Sequence, residues 1–121
     1  MLSNDFYHIN SFSAEAEEIY AEIKLNPRHR IFAGHFPGNP VTPGVCIMQI
    51  IKELTEKAVQ TALQTEKVSN LKFKALINPE VNGTLHLHIK STAADNAVKI
   101  KSTVTFAETT AVTMNAVYKR A

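Results

Sequence analysis

Hydrophobic and polar positions along this chain recur with two different periods, and the changes of period mark out its elements. Tyr7 and Ile9, then Ile19, Ala21, Ile23 and Leu25, alternate with polar neighbours, as strand side chains do when one face is buried. Between them, Ser13-Ala14-Glu15-Ala16-Glu17-Glu18 has helical propensity. We read residues 5–25 as two strands joined by a turn near 14–18.

From residue 45 the period lengthens. Val45, Met48, Ile51, Leu54, Ala58 and Ala62 fall three or four apart, with no Gly or Pro from 45 to 65. This predicts a helix over that span. Pro43 stands at its first turn, where helices tolerate proline. Ile47 and Ile50 lie off the stripe, so apolar surface covers much of the first half, the pattern of a helix enclosed on several sides. Alternation then returns. Leu71, Phe73, Ala75 and Ile77, then Leu85, Leu87 and Ile89, then Val98, Ile100, Ser102, Val104 and Phe106, then Val112, Met114, Ala116 and Tyr118 read as four strands. Asn82-Gly83 and Ala94-Asp95-Asn96 supply turn chemistry. Strands, one long enclosed helix and an antiparallel meander predict an α+β domain, the sheet wrapped around the helix.

A length of 121 residues makes this one domain, 1–121. With 13 basic and 11 acidic side chains, net charge +2, no nucleic-acid partner is expected. No apolar run approaches the roughly 18 residues that span a bilayer, so no membrane association is expected. Met1-Leu2-Ser3-Asn4-Asp5 lacks the basic-then-apolar pattern of a signal peptide, and Cys46 is the single cysteine. A cytoplasmic location follows as the expectation.

Residues 26–44 hold three of the four glycines and four of the five prolines, which excludes helix or central strand and predicts a shaped loop. Within it runs Gly34-His35-Phe36-Pro37-Gly38-Asn39-Pro40-Val41-Thr42-Pro43-Gly44-Val45. Here the chain resembles the hotdog-fold 3-hydroxyacyl-acyl-carrier-protein dehydratases, whose signature is H-F-P-G-x-P-V-x-P-G-V. Phe73-Lys74, with Pro79 six residues after the Phe, is similar to the family's F-K-x-P-V-x-P strand, with Leu76 in place of one proline. The resemblance implies a hotdog fold and a dimer that acts on an acyl thioester of carrier protein or coenzyme A, without a cofactor. It implies His35 as the base, oriented by the carbonyl of Val41. Phe36, Val41, Pro43, Val45 and Met48 are then expected at the substrate.

Elementary chemistry agrees. Removing water from a 3-hydroxyacyl thioester needs a base for the proton beside the carbonyl, a positive field at the carbonyl oxygen, and an acid for the departing hydroxyl. A histidine titrates near neutrality and can be the base. The N–H of Gly44, in a first helical turn, has no intrahelical acceptor and sits at the positive end of the helix dipole. Such a donor stabilises a developing enolate by roughly 3 kcal/mol.

The third part is missing. The family's acid lies 14 residues after its histidine, and that position here is Gln49. An amide can hold a hydroxyl but has no acidic proton to give. Glu53 follows one turn later, and we read it as an exposed i,i+4 partner of Lys57. Three readings result: dehydration with Gln49 positioning the hydroxyl; a site completed by a homologous subunit that brings the acid, in a heterodimer rather than a homodimer; or an altered acyl-thioester binder or thioesterase-like protein.

Arg28, Arg30 and Lys119 are candidates for contact with an acidic carrier protein. Met48, Ile51 and Leu54 are candidates for lining an acyl tunnel. His86 and His88 share a strand face, but no third ligand accompanies them, so no metal site is expected. Cys46 is expected to be buried.

Overall fold

The computed structural model describes residues 5–33 and 40–121. Strands β1 (Tyr7–Glu15) and β2 (Glu18–Leu25) lead through a one-turn helix, α1 (Arg30–Ala33), to the long helix α2 (Gly44–Val59). Strands β3 (Leu63–Phe73), β4 (Thr84–Ala94), β5 (Ala97–Phe106) and β6 (Thr109–Arg120) complete one sheet of order β1-β2-β4-β5-β6-β3. Every pairing is antiparallel.

The apolar alternation decides which face is dry. Leu85, Leu87 and Ile89 of β4, Val98, Ile100 and Val104 of β5, and Val112, Met114, Ala116 and Tyr118 of β6 are all buried. Ile47, Ile50, Ile51 and Leu54 of α2 belong to the same core cluster. Two of the buried polar side chains are satisfied locally: Ser102 Oγ donates to the carbonyl of Met114 (2.8 Å) and Thr55 Oγ1 to that of Ile51 (2.8 Å). This is the α+β arrangement expected, a sheet closed around one helix. No described helix is long and apolar enough to cross a membrane.

Four details differ from the sequence expectation. The core stripe of α2 runs through Ile47, Ile50, Ile51 and Leu54, whereas Val45 points outward and Met48 is half-buried. The helix also stops at Val59, not at residue 65. Gln60 adopts the left-handed conformation, its N–H donates to the Glu56 carbonyl (2.8 Å), and Glu56 Oε2 accepts the N–H of Leu63 (2.8 Å) as β3 begins. Pairing with β6 then supplies the backbone partners that a longer helix would have supplied. Residues 74–77, taken for strand, lie beyond β3. Within the expected loop, α1 occupies the Gly- and Pro-free part and buries Phe32 against Phe6, ring centroids 5.4 Å apart.

The turn at Ala16-Glu17 places both residues at positive φ (49° and 67°), with neither Gly nor Asn to ease it. The registered pairing of β1 with β2 on either side holds it there.

Candidate active site

The motif reaches the described structure at Pro40; His35 and Phe36 lie outside the described residues. From there the chain is pinned. The N–H of Thr42 donates to the Ile77 carbonyl (2.9 Å), tying the loop to the segment after β3. Pro43 is extended (φ −60°, ψ 139°), and its carbonyl accepts the first helical bonds, from Cys46 (3.0 Å) and Ile47 (3.4 Å). The N–H groups of Gly44 and Val45 stand ahead of those bonds, at the positive end of a helix of 16 residues. Among the described residues no side chain caps them.

Val41, Pro43, Gly44 and Val45, four residues singled out from the motif, share one cavity of about 280 Å³. Phe73, the last residue of β3, and Leu76 just beyond it come to the same cavity, so the second, weaker resemblance converges with the first. The Phe73 ring lies over Gly44: a Cβ there would meet its Cζ at 2.6 Å. Glycine lets this ring, or a ligand in its place, approach the backbone of the helix start. The rim is apolar and open. Val45 is 72% exposed, Leu76 73% and Phe73 53%, a grouped patch of the kind that marks a ligand or partner surface.

Gln49 does not line this cavity. Five residues past Gly44, it stands on another side of the helix. Its partner is Glu53, whose Oε2 accepts from Gln49 Nε2 (2.9 Å) while its Oε1 accepts from Tyr7 OH (2.8 Å). Glu53 is therefore half-buried in a hydrogen-bonded chain, and the expectation of an exposed partner for Lys57 is corrected. Lys57 lies instead with its Nζ 5.3 Å above the Phe12 ring. Burial, reinforced by the adjacent Glu53, pushes the Tyr7 hydroxyl well above the usual phenol range, so it remains a donor. Nothing in the sequence joins Tyr7 to Glu53, 46 residues away. The one-turn spacing of Gln49 and Glu53 was the only available hint.

Met48 is half-buried against the core cluster, beside buried Ile51 and Leu54. Cys46 is buried, and burial pushes its thiol up, away from reactive thiolate. His86 and His88 are engaged by carboxylates, His88 Nε2 at 2.7 Å from Glu18 Oε1 and His86 Nδ1 at 3.8 Å from Glu22 Oε1. Among the described residues no group of three or more metal-ligating side chains forms.

Arg28 and Arg30 are exposed after the end of β2, whereas Lys119 lies near the end of β6, opposite Gln64 and Ala97. In this antiparallel sheet those are opposite ends, so the three do not form one patch. On the outer face Lys119 joins other lysines. Lys90 stands directly opposite Lys101, and Lys67 and Lys99 both flank Val117.

The chain is similar to known dehydratases. A 3-hydroxyacyl-[acyl-carrier-protein] dehydratase FabZ from Rickettsia massiliae is 32% identical over 83 residues, 61% of this chain and 56% of the relative. The enzyme of the same name from Lactobacillus helveticus is 33% identical over 96 residues, 70% of this chain and 62% of the relative. The chain thus spans less than two thirds of these curated relatives. Among solved structures, the dehydratase heterocomplex ApeI:P from Xenorhabdus doucetiae superposes with a TM-score of 0.75 at 21% identity, covering 93% of this chain and 97% of that one, and so shares the hotdog fold. The family model ApeI-like, described as ApeI dehydratase, matches residues 11–113. A match over that much of the chain, reaching from β1 through the Gly44 helix start to β6, places this protein in the ApeI-like dehydratase family.

Proposed function

We propose that this chain binds a 3-hydroxyacyl thioester at the start of α2 and takes part in its dehydration to the trans-2-enoyl thioester. The carrier is an acyl carrier protein or coenzyme A, and the setting is fatty-acid or related lipid biosynthesis in the cytoplasm. One observation carries the reading: the helix start at Gly44, uncapped by a side chain among the described residues, opens into a cavity built from both motif segments. His35 removes the proton beside the carbonyl, the Gly44 N–H holds the oxygen of the resulting enolate, and the 3-hydroxyl leaves with a proton as water.

The acid for that last step comes, in our reading, from a second subunit. Three observations support a dimer with a homologous chain. Among the described residues strand β3 forms an edge of the sheet. The exposed patch of Val45, Leu76 and Phe73 beside it calls for a cover. Gln49 is not among the described residues that line the Gly44 cavity of its own chain. The solved relative ApeI:P is itself described as a heterocomplex.

The test is to give a 3-hydroxyacyl carrier-protein thioester to the chain purified alone and together with any homologue that co-purifies. Enoyl product from the pair, and little from the chain alone, is expected. Free thiol without enoyl product would instead identify a thioester hydrolase, and the absence of both products from either preparation refutes the assignment.

Gly44→Ala separates chemistry from folding. The nearest atoms to the added methyl belong to the far end of the Phe73 side chain, which is exposed and able to turn away. Thermal unfolding should therefore shift little. Thioester turnover should fall by about 10² as the carbonyl loses its approach to the helix start.

A further inference from the structure

The Tyr7–Glu53–Gln49 chain lies outside the cavity and has no part in the steps above. Its geometry nevertheless constrains the Gln49 amide. A glutamine side chain has one end that donates and one that accepts, and rotation by half a turn exchanges them. A carboxylate can only accept. With Glu53 Oε2 at 2.9 Å, the amide nitrogen must face Glu53 and the carbonyl Oε1 must face away from it. Glu53 is held in turn, because Tyr7 OH occupies its other oxygen at 2.8 Å. The Tyr7 hydroxyl, half-buried and held well above the usual phenol range by desolvation and by Glu53, keeps its proton for that bond. The three residues come from β1 and from two successive turns of α2, so strand and helix packing together set the direction of one carbonyl.

We propose that Glu53 is a positioning residue that locks Gln49 with its carbonyl oxygen outward, as a fixed acceptor for the 3-hydroxyl of the acyl substrate. This inference rests on the thioester reading above and deepens it. Because Gln49 does not line the Gly44 cavity of its own chain, the hydroxyl it receives belongs to an acyl chain held across the subunit interface, where a fixed acceptor selects hydroxylated over saturated chains. No proton or electron moves through Glu53.

The test compares binding of 3-hydroxybutyryl-coenzyme A and butyryl-coenzyme A to the full chain in the assembly in which it purifies. The parent should prefer the hydroxylated ligand. In Glu53→Gln the neighbour can donate as well as accept, so Gln49 is free to rotate. The preference should shrink by about threefold to tenfold, with butyryl binding unchanged. Tyr7→Phe, which keeps the ring in place, should give a smaller change in the same direction and serves if Glu53→Gln does not fold. A preference retained in both variants, or equal weakening of both ligands, overturns the inference and leaves the thioester site standing. A parent that binds the two ligands equally does the same. A parent that binds neither removes the thioester reading, and the inference with it.

Discussion

His35→Ala should lower enoyl formation by about 10² to 10⁴, the span observed when a general base is deleted. No other single change is expected to cost as much. The base acts on a carbon-bound proton, which neither the Gly44 N–H nor the Gln49 amide can remove. Binding of the saturated thioester should survive, because the cavity at the helix start is formed by Val41, Pro43, Gly44, Phe73 and Leu76. The measurement is therefore paired: turnover of the 3-hydroxyacyl thioester, and affinity for its saturated counterpart. Loss of turnover with retained affinity supports the base. A variant that turns over at the parental rate removes His35 from the chemistry, whatever the fate of the fold.

Gln49→Glu is expected to move activity the other way. Glu53 Oε2 sits 2.9 Å from the amide nitrogen that the substitution replaces with an oxygen. Two carboxylates at that separation cannot both stay ionised, and the pair should hold one proton between them. Such a shared proton, retained towards neutral pH, is what a general acid needs. Dehydration by the chain without an acid-bearing homologue should rise by about 10². The gain should fade as pH rises and the pair loses its proton. The linkage has the same sign: a carboxyl raised in the folded state adds stability at low pH that is lost as pH rises through its folded value. Relative to the parent, the variant should thus be more stable in mild acid than in alkali. If a folded Gln49→Glu shows no gain, residue 49 does not stand where the family keeps its acid.

The architecture was readable because burial leaves a periodic trace. The alternations of β2, β4, β5 and β6 each match a buried row, and the apolar excess on the first half of α2 anticipated its enclosure. Where the reading slipped, a tertiary contact outbid a local pattern. Ala62 continues the helical spacing, but the left-handed Gln60 and the pairing of Leu63 with Arg120 turn the chain into β3. Leu71, Phe73, Ala75 and Ile77 alternate well enough for a longer strand, but the chain leaves β6 after Phe73. Val45 fits the helical stripe and yet faces out, since the stripe that meets the sheet is set by Ile47, Ile50, Ile51 and Leu54.

The site divides along the same line. Residues adjacent in the chain carried their chemistry openly: a glycine after Pro43 at a helix start and an imidazole a few residues earlier form a compact motif whose spacing alone constrains what it can hold. Contacts between distant segments left no such trace. The Phe73 ring over Gly44, the hydroxyl of Tyr7 on Glu53 and the resulting orientation of Gln49 arise from how β1, α2 and the strand after α2 pack together. Periodicity reports which face of an element is buried; it carries no information about which partner waits there, because apolar burial is non-directional while a hydrogen bond is made to one atom.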